Sequence, residues 1–139
     1  MVLKIIAAGL IAGILANITG YLITARFFHK FQARTPDTWR ATESWSHYMY
    51  STGIRLFSCV AIVILYAASR AIVPTILGSI ALRGAAFGGC VWAAVAAPII
   101  IEIALFVNWH RGFVVGLLLD WLVLCVIAGK VAALVIGGP

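Results

Sequence analysis

The feature that most constrains this chain is a series of long apolar stretches, each able to cross a lipid bilayer. The first, residues 5–25, has 21 positions and no charged residue. At ~1.5 Å rise per residue, a helix of that length covers the ~30 Å hydrocarbon core of a membrane. Three more apolar stretches follow at 52–69, 84–107 and 112–136. The sequence therefore predicts an all-α fold, a single polytopic membrane domain (1–139) whose four transmembrane helices form an antiparallel bundle.

The composition excludes an ordinary soluble domain. Of the 139 residues, 64% are hydrophobic and only 10% are charged, whereas soluble domains carry about 25% charged residues. Disorder is excluded too, because a chain this apolar can offset its ordering entropy. The first apolar run exceeds the ~7–15 residues of a signal-peptide core, so we expect it to be retained as a span.

The loops predict an orientation. A polar loop at 27–50 joins the first two spans, and a shorter outer loop at 70–83 joins the second and third. Segment 70–83, which contains Pro74, would be a loop, a surface helix or a kinked continuation of the second span. Positive charges concentrate on cytoplasmic loops, so we expect loops 26–51 and 108–111 to be cytoplasmic and both termini to lie outside a cell (inner) membrane. The cations on the predicted inner side are Arg26, Lys30, Arg34, Arg40, Arg55 and Arg111, against Lys4, Arg70 and Arg83 outside.

The net charge of +6 does not indicate a nucleic-acid partner. The cations lie at the predicted membrane boundaries and form no continuous stripe. Their expected roles are to set topology and to contact membrane lipid.

Three pairs of glycines show the G-x-x-x-G spacing, one pair on each of the first, third and fourth spans. Small residues at this spacing let two helices approach closely in lipid. Packing within the bundle is the default interpretation, and homo-oligomerisation through these stripes is the alternative. The pairs are Gly9 and Gly13, Gly84 and Gly88, and Gly112 and Gly116.

Polar residues of all four spans fall at a similar predicted depth. Glu102 lies six residues before Asn108, and Asp120 lies eight after Gly112, which places both carboxylates about 9–12 Å below the same surface. Arg55 enters the second span from that side, and Asn17 lies about two turns from the inner end of the first. An ionisable group in a membrane costs about 2.5–3.5 kcal/mol and is usually paired. We therefore predict a buried polar cluster of Asn17, Arg55, Glu102 and Asp120.

Three interpretations of this cluster stay open. Arg55 would neutralise the carboxylates and fix the helix register, or Glu102 and Asp120 would form an ion-handling pair that carries a proton or cation. In the third interpretation, the rotation of the helices points these polar side chains away from one another, towards a partner subunit.

The histidines are weak metal candidates. His29, His47 and His110 all fall near the predicted cytoplasmic surface, but their spacing matches no zinc pattern. The sequence indicates no metal site and no cofactor.

Motifs of soluble enzymes, such as a phosphate loop or a nucleophile elbow, do not occur in the sequence. The E-x-x-x-H spacing of Glu43 and His47 resembles a helix motif of the membrane-associated glutathione and eicosanoid enzymes, which also have four spans. However, the Arg and Tyr that those enzymes carry on their third span have no counterpart at 84–107. An enzyme of this type is therefore the third and least expected of the functions considered for this sequence.

A pattern of polar, aromatic and small residues runs through the first, third and fourth spans. It consists of Asn17 and Gly20-Tyr21, of Trp92, Pro98 and Glu102, and of Asn108-Trp109-His110-Arg111 followed by Asp120-Trp121 and Gly129. This pattern resembles a group of small bacterial four-helix membrane proteins known only as a domain of unknown function, and the resemblance implies the four-span fold and no activity. We therefore expect a non-enzymatic accessory or assembly subunit of a bacterial membrane complex or a self-associating bundle, with a small oligomeric transporter or channel as the alternative.

Overall fold

The computed structural model describes residues 1–38, 44–73 and 78–137, except for the side chains of Arg26, Phe27, His29 and Pro36. The described residues form helices with short connections and include no strand. Four helical segments are long and apolar enough to cross a membrane, as predicted, so the all-α, multi-pass fold class is confirmed. These spans are Val2–Ile23, Trp45–Ile72, Ile80–Phe106 and Arg111–Ile136.

The first two spans are longer than their apolar runs. Helix α1 (Val2–Ile23) continues through a π-helical turn (Thr24–Phe28) into the short helix α2 (His29–Gln32). A 3₁₀ turn, Pro36–Thr38, follows, and α3 is Trp45–Ser69. The predicted loop 27–50 is thus partly helical.

The second span begins well before residue 52 because its polar first turns are capped. The backbone N–H of Ser44 donates to Nδ1 of His47 at 3.2 Å, which satisfies a donor at the helix start. At the other end, Arg70–Ile72 extends α3 as a 3₁₀ turn, and Val73 is extended. Segment 70–83 therefore begins as a continuation of the second span, while Pro74 lies outside the described residues.

The third span is interrupted. It consists of α4 (Ile80–Val91), a π-helical turn (Trp92–Ala96) and α5 (Ala97–Phe106). Pro98 has no N–H to donate to a carbonyl in the preceding turn, and a π turn is one way for a helix to accommodate such a loss. The fourth span, α6 (Arg111–Ile136), is one continuous helix.

Helix α6 is at the centre of the bundle, where it packs against α1, α3 and α4. Its inner face is lined by small buried residues, including Ala128, Gly129 and Ala132. Larger buried side chains, notably Tyr66 of α3 and Leu124 of α6, fill the space between the helices. The described part of the connection from α1 to α3 meets the connection from α5 to α6 at one end of the bundle, where the Thr38 hydroxyl donates to the carbonyl oxygen of Asn108 at 3.2 Å. This end also carries Lys30, Arg34 and Arg111, and we call it the basic end.

Glycines permit the closest helix contacts. A Cβ added at Gly84 would collide with the carbonyl oxygen of Gly129, and one at Gly88 would collide with that of Cys125. The backbones of α4 and α6 therefore touch directly. On the other side of α6, α1 contacts α3 at two further glycines. A Cβ at Gly9 would lie 3.0 Å from the Cα of Val60, and one at Gly13 would lie 3.2 Å from the Cα of Leu56.

The glycines at the start of α6 face inwards. A Cβ at Gly112 would lie 2.5 Å from the ring of Phe31, so this glycine makes room for a side chain that follows the first span. Gly116 is buried.

The third span is the most peripheral. In its apolar window 11% of the residues are buried, against 39% for the fourth span. Helix α4 packs closely on α6, whereas α5 has a smaller contact with it. Much of α5 therefore faces away from the bundle.

The glycine contacts can be tested with two adjacent residues of α4. Gly88→Ala would place a methyl group against the backbone of α6, whereas Gly89→Ala adds one where nothing lies within 4 Å. We expect Gly88→Ala to lower the free energy of unfolding by about 1–3 kcal/mol, and Gly89→Ala to be neutral or stabilising by about 1 kcal/mol through helix propensity. Unfolding in detergent micelles measures both, and equal effects would contradict the close contact.

Candidate functional site

Two ionisable side chains from different spans meet inside the bundle. Arg55 lies on α3 ten residues after Trp45, and Asp120 lies on α6 nine residues after Arg111. At ~1.5 Å per residue, both lie about 14–15 Å from the start of their helix. Because α3 and α6 both start at the basic end and pack against each other, this matched depth brings the two residues together.

The contact is a bidentate ion pair. Nη1 of Arg55 donates to Oδ2 of Asp120 at 2.5 Å, and Nη2 donates to Oδ1 at 3.0 Å. The side chains are 13% and 4% exposed. Planar guanidinium and carboxylate groups suit this two-bond geometry. The pair thus carries no net charge, and little of its surface is exposed.

The first span completes the contact. Nη2 of Arg55 also donates to the carbonyl oxygen of Ala16 at 2.7 Å. One turn further on, Gly20 leaves room for the guanidinium, since a Cβ there would lie 2.6 Å from Cζ of Arg55. Arg55 therefore ties α1, α3 and α6 together.

The contacts at Ala16 and Gly20 were not predicted as part of the site. The signal that could have found them is that both residues are small, lie four positions apart on one face of the first span, and fall near the depth of Arg55.

Asn17 does not join the ion pair. Its Nδ2 donates to the carbonyl oxygen of Gly13, one turn earlier on the same helix, at 2.8 Å. Its side chain instead lines a groove that also reaches Arg55.

The predicted place of Glu102 in the buried cluster is wrong. Glu102 is exposed on α5, and no hydrogen bond or ion pair joins it to another described residue. Its neighbours Ile101 and Ile103 are exposed as well, at 49% and 40%. The described residues thus include one buried carboxylate in this layer, Asp120, and one carboxylate on the outer surface of the bundle.

Helix rotation explains the difference. Depth along the membrane normal follows from residue counting, but the face that a residue presents depends on every turn before it. The π turn Trp92–Ala96 shifts the phase of α5 by about one residue, or ~100°. Glu102 follows the buried Ile100 by two positions, ~200° around the helix, and so faces away from the core. An ion-handling pair of Glu102 and Asp120 therefore lacks the proximity on which it depended.

Two grooves adjoin Arg55 near the basic end. The first, which we call the axial groove, has a volume of about 470 Å³ and reaches both members of the ion pair. Its other walls include Tyr50, Phe113 and Trp121. The second, which we call the lateral groove, has a volume of about 630 Å³ and lies between α1 and α3. Asn17, Thr24, Ser51, Thr52 and Arg55 form its polar lining, with Tyr21, Trp45 and Tyr48.

The histidines have structural contacts. Nδ1 of His110 accepts a hydrogen bond from the backbone N–H of Gly112 at 3.0 Å and so caps α6, and its ring stacks on Phe31 at 4.7 Å. His47 accepts the bond from Ser44 described above. The side chain of His29 lies outside the described residues. Within 1–38, 44–73 and 78–137, no three His, Cys, Asp or Glu residues are grouped as a metal site would require.

The ion pair is tested by removing its members singly and together. Arg55→Met or Asp120→Leu alone would leave an unpaired buried charge, and we expect each to lower the free energy of unfolding by about 3–5 kcal/mol. The double variant Arg55→Met/Asp120→Leu should recover most of that loss, since it leaves no buried charge. Unfolding in detergent micelles measures the coupling between the two residues. A double variant as unstable as the sum of the single variants would exclude a coupled pair.

Comparison of the chain with protein-family models, curated proteins and solved structures finds no match.

Proposed function

We propose that this protein is a non-enzymatic accessory subunit of a bacterial membrane complex and that it binds its partner within the bilayer through the outer face of α5. The observation that carries this proposal is the position of Glu102. An ionisable residue in a transmembrane segment is rarely left facing lipid and usually meets another polar group. Glu102 lies four residues before the end of α5 at Phe106, within the apolar span.

The surroundings of Glu102 fit a surface that another helix covers. Leu105 and Phe106 are 76% and 84% exposed, and Ile101 and Ile103 flank the carboxylate. Side chains of a partner helix would pack against this apolar surface, and a donor on that helix would satisfy Glu102. Hydrogen bonds between helices in membranes contribute about 1–2 kcal/mol in model peptides.

Charge favours a different protein over a second copy of this chain. Among the described residues, Arg55 lies deeper in the membrane than Glu102 and already pairs with Asp120, while Arg111 is exposed at the start of α6. Lys130 is exposed, but it lies 19 residues along α6 from Arg111, about 28 Å from the basic end. A second copy would therefore offer Glu102 a cation only from the basic end, about 6–9 Å nearer the membrane surface. A partner with Lys, Arg, His or an amide at the depth of Glu102 would satisfy it directly.

The buried ion pair has a structural role in this proposal. Arg55 and Asp120 neutralise each other and hold α1, α3 and α6 in register, so that α6 supports α4 and α5. The alternative of a small oligomeric transporter required Glu102 beside Asp120. The positions of the two carboxylates support the accessory role instead.

The proposal is tested by gentle extraction of the protein with its neighbours, followed by mass analysis. A photo-crosslinking residue at Ile101 should join the chain to a span of another protein that carries a polar or cationic residue. Glu102→Leu should abolish the crosslink. Lys130→Leu, which removes another exposed ionisable group from a span, should leave it unchanged. Crosslinks only to a second copy would replace the accessory role with self-association, and crosslinks insensitive to Glu102→Leu would contradict the proposal.

We also propose that the basic end faces the cytoplasm of a bacterial inner membrane and that both termini face outwards. The charge distribution of the loops supports this orientation. In a chain with Cys59, Cys90 and Cys125 replaced by Ala, a membrane-impermeant thiol reagent should label Gly78→Cys in intact cells. It should label Ala33→Cys only after permeabilisation. The opposite pattern would invert the topology.

A further inference from the structure

The lateral groove is a polar recess near the membrane surface. It lies between the basic ends of α1 and α3, and its lining includes hydroxyl groups from Thr24, Ser51 and Thr52 and the amide of Asn17. The described residues that line it include no Asp or Glu, whereas Asp120 lines the axial groove. Within residues 1–38 and 44–73, the lateral groove is thus lined by hydrogen-bond donors without a carboxylate.

Arg55 adds donors that are not yet used. Its guanidinium has five N–H groups, and three of them donate to Asp120 and the carbonyl of Ala16. Nε is buried and has no hydrogen-bond partner within the described residues. A buried donor without an acceptor costs about 1–3 kcal/mol, so a small shift of the guanidinium that let Nε reach an acceptor in the groove would be stabilising. Guanidinium and hydroxyl donors together suit the oxygens of a phosphate group.

The position of the groove indicates which phosphate it would meet. Tyr21 and Trp45, which line it, are 75% and 77% exposed, and aromatic residues of this kind are typical of the membrane interface. Apolar side chains continue the groove-lining face of α1 towards the middle of the bundle. Ile14 and Leu10 lie seven and eleven residues before Tyr21, on the same face of the helix, and are 57% and 48% exposed. A soluble phosphate would not use this apolar surface, but acyl chains would.

We propose that the lateral groove binds the phosphate group of a membrane phospholipid. The phosphate oxygens accept hydrogen bonds from Arg55, Asn17 and the hydroxyl groups, and the acyl chains lie along the exposed apolar residues of α1. This site is separate from the partner surface on α5. The two proposals can therefore fail independently.

The test is native mass spectrometry of the delipidated full chain in detergent. The probes are a phosphatidylglycerol, the diacylglycerol with the same chains and no phosphate, and inorganic phosphate. We expect phosphatidylglycerol to bind at least roughly tenfold more tightly than either of the others, because each loses one part of the recognition and tenfold corresponds to about one good hydrogen bond to a charged group. Equal binding of the diacylglycerol would overturn the proposal, and so would equal binding of inorganic phosphate, which would assign the groove to a soluble anion.

Variants locate the site without disturbing the ion pair. Asn17→Leu/Thr52→Val removes two polar groups from the groove and should weaken binding of phosphatidylglycerol by roughly tenfold. The matched control is Thr19→Val, on the same helix as Asn17, whose hydroxyl bonds only to carbonyls of its own helix, those of Leu15 and Ala16. It should leave binding unchanged. An equal loss in both variants, or in neither, would overturn the assignment of the lipid to this groove.

The contribution of Arg55 is measured in the double variant Arg55→Met/Asp120→Leu, which loses the guanidinium together with its counter-ion. Binding of phosphatidylglycerol should fall by at least roughly tenfold in this variant while its unfolding stays cooperative. Unchanged binding would show that Arg55 does not hold the phosphate.

Discussion

The ion pair between Arg55 and Asp120 is the contact on which the arrangement at the basic end depends. In a span, each of these groups alone would face a large desolvation cost, and the attraction and hydrogen bonds between them offset much of that cost. The carbonyl of Ala16 accepts a further N–H of Arg55. Because one guanidinium contacts three helices, α1, α3 and α6 can neither slide nor rotate independently at this depth.

The small residues of the chain make this contact possible. Gly20 leaves room for the guanidinium, and Gly9 and Gly13 allow α1 to lie close against α3. In lipid, apolar surfaces gain little by leaving the acyl chains for one another, so close packing and polar contacts stabilise a bundle. Here the two occur together, since the glycines bring the helices near enough for one arginine to bridge them.

Much of the fold could be predicted from the sequence, because a bilayer sets the length of a spanning helix. Residue counting also placed Arg55 and Asp120 at a common depth, and the structure joins them. It could not place Glu102, because the face of a helix depends on local changes of phase such as the π turn Trp92–Ala96. The early start of α3 at Trp45 was missed as well, since its first turns are polar and hydropathy does not detect a cap formed by Ser44 and His47.

The π turn in the third span separates α4, which has close contacts with α6, from α5, which has few. Helix α4 is locked to α6 by direct backbone contact at Gly84 and Gly129, and the indole N–H of Trp92 donates to the carbonyl of Leu118 at 3.0 Å. Helix α5 follows these anchors and has no comparable glycine contact among the described residues. A force applied to α5 would therefore be taken up at the π turn as bending, and the rest of the bundle would be shielded from it. Such a hinge would let α5 adjust its tilt to another helix without breaking the ion pair.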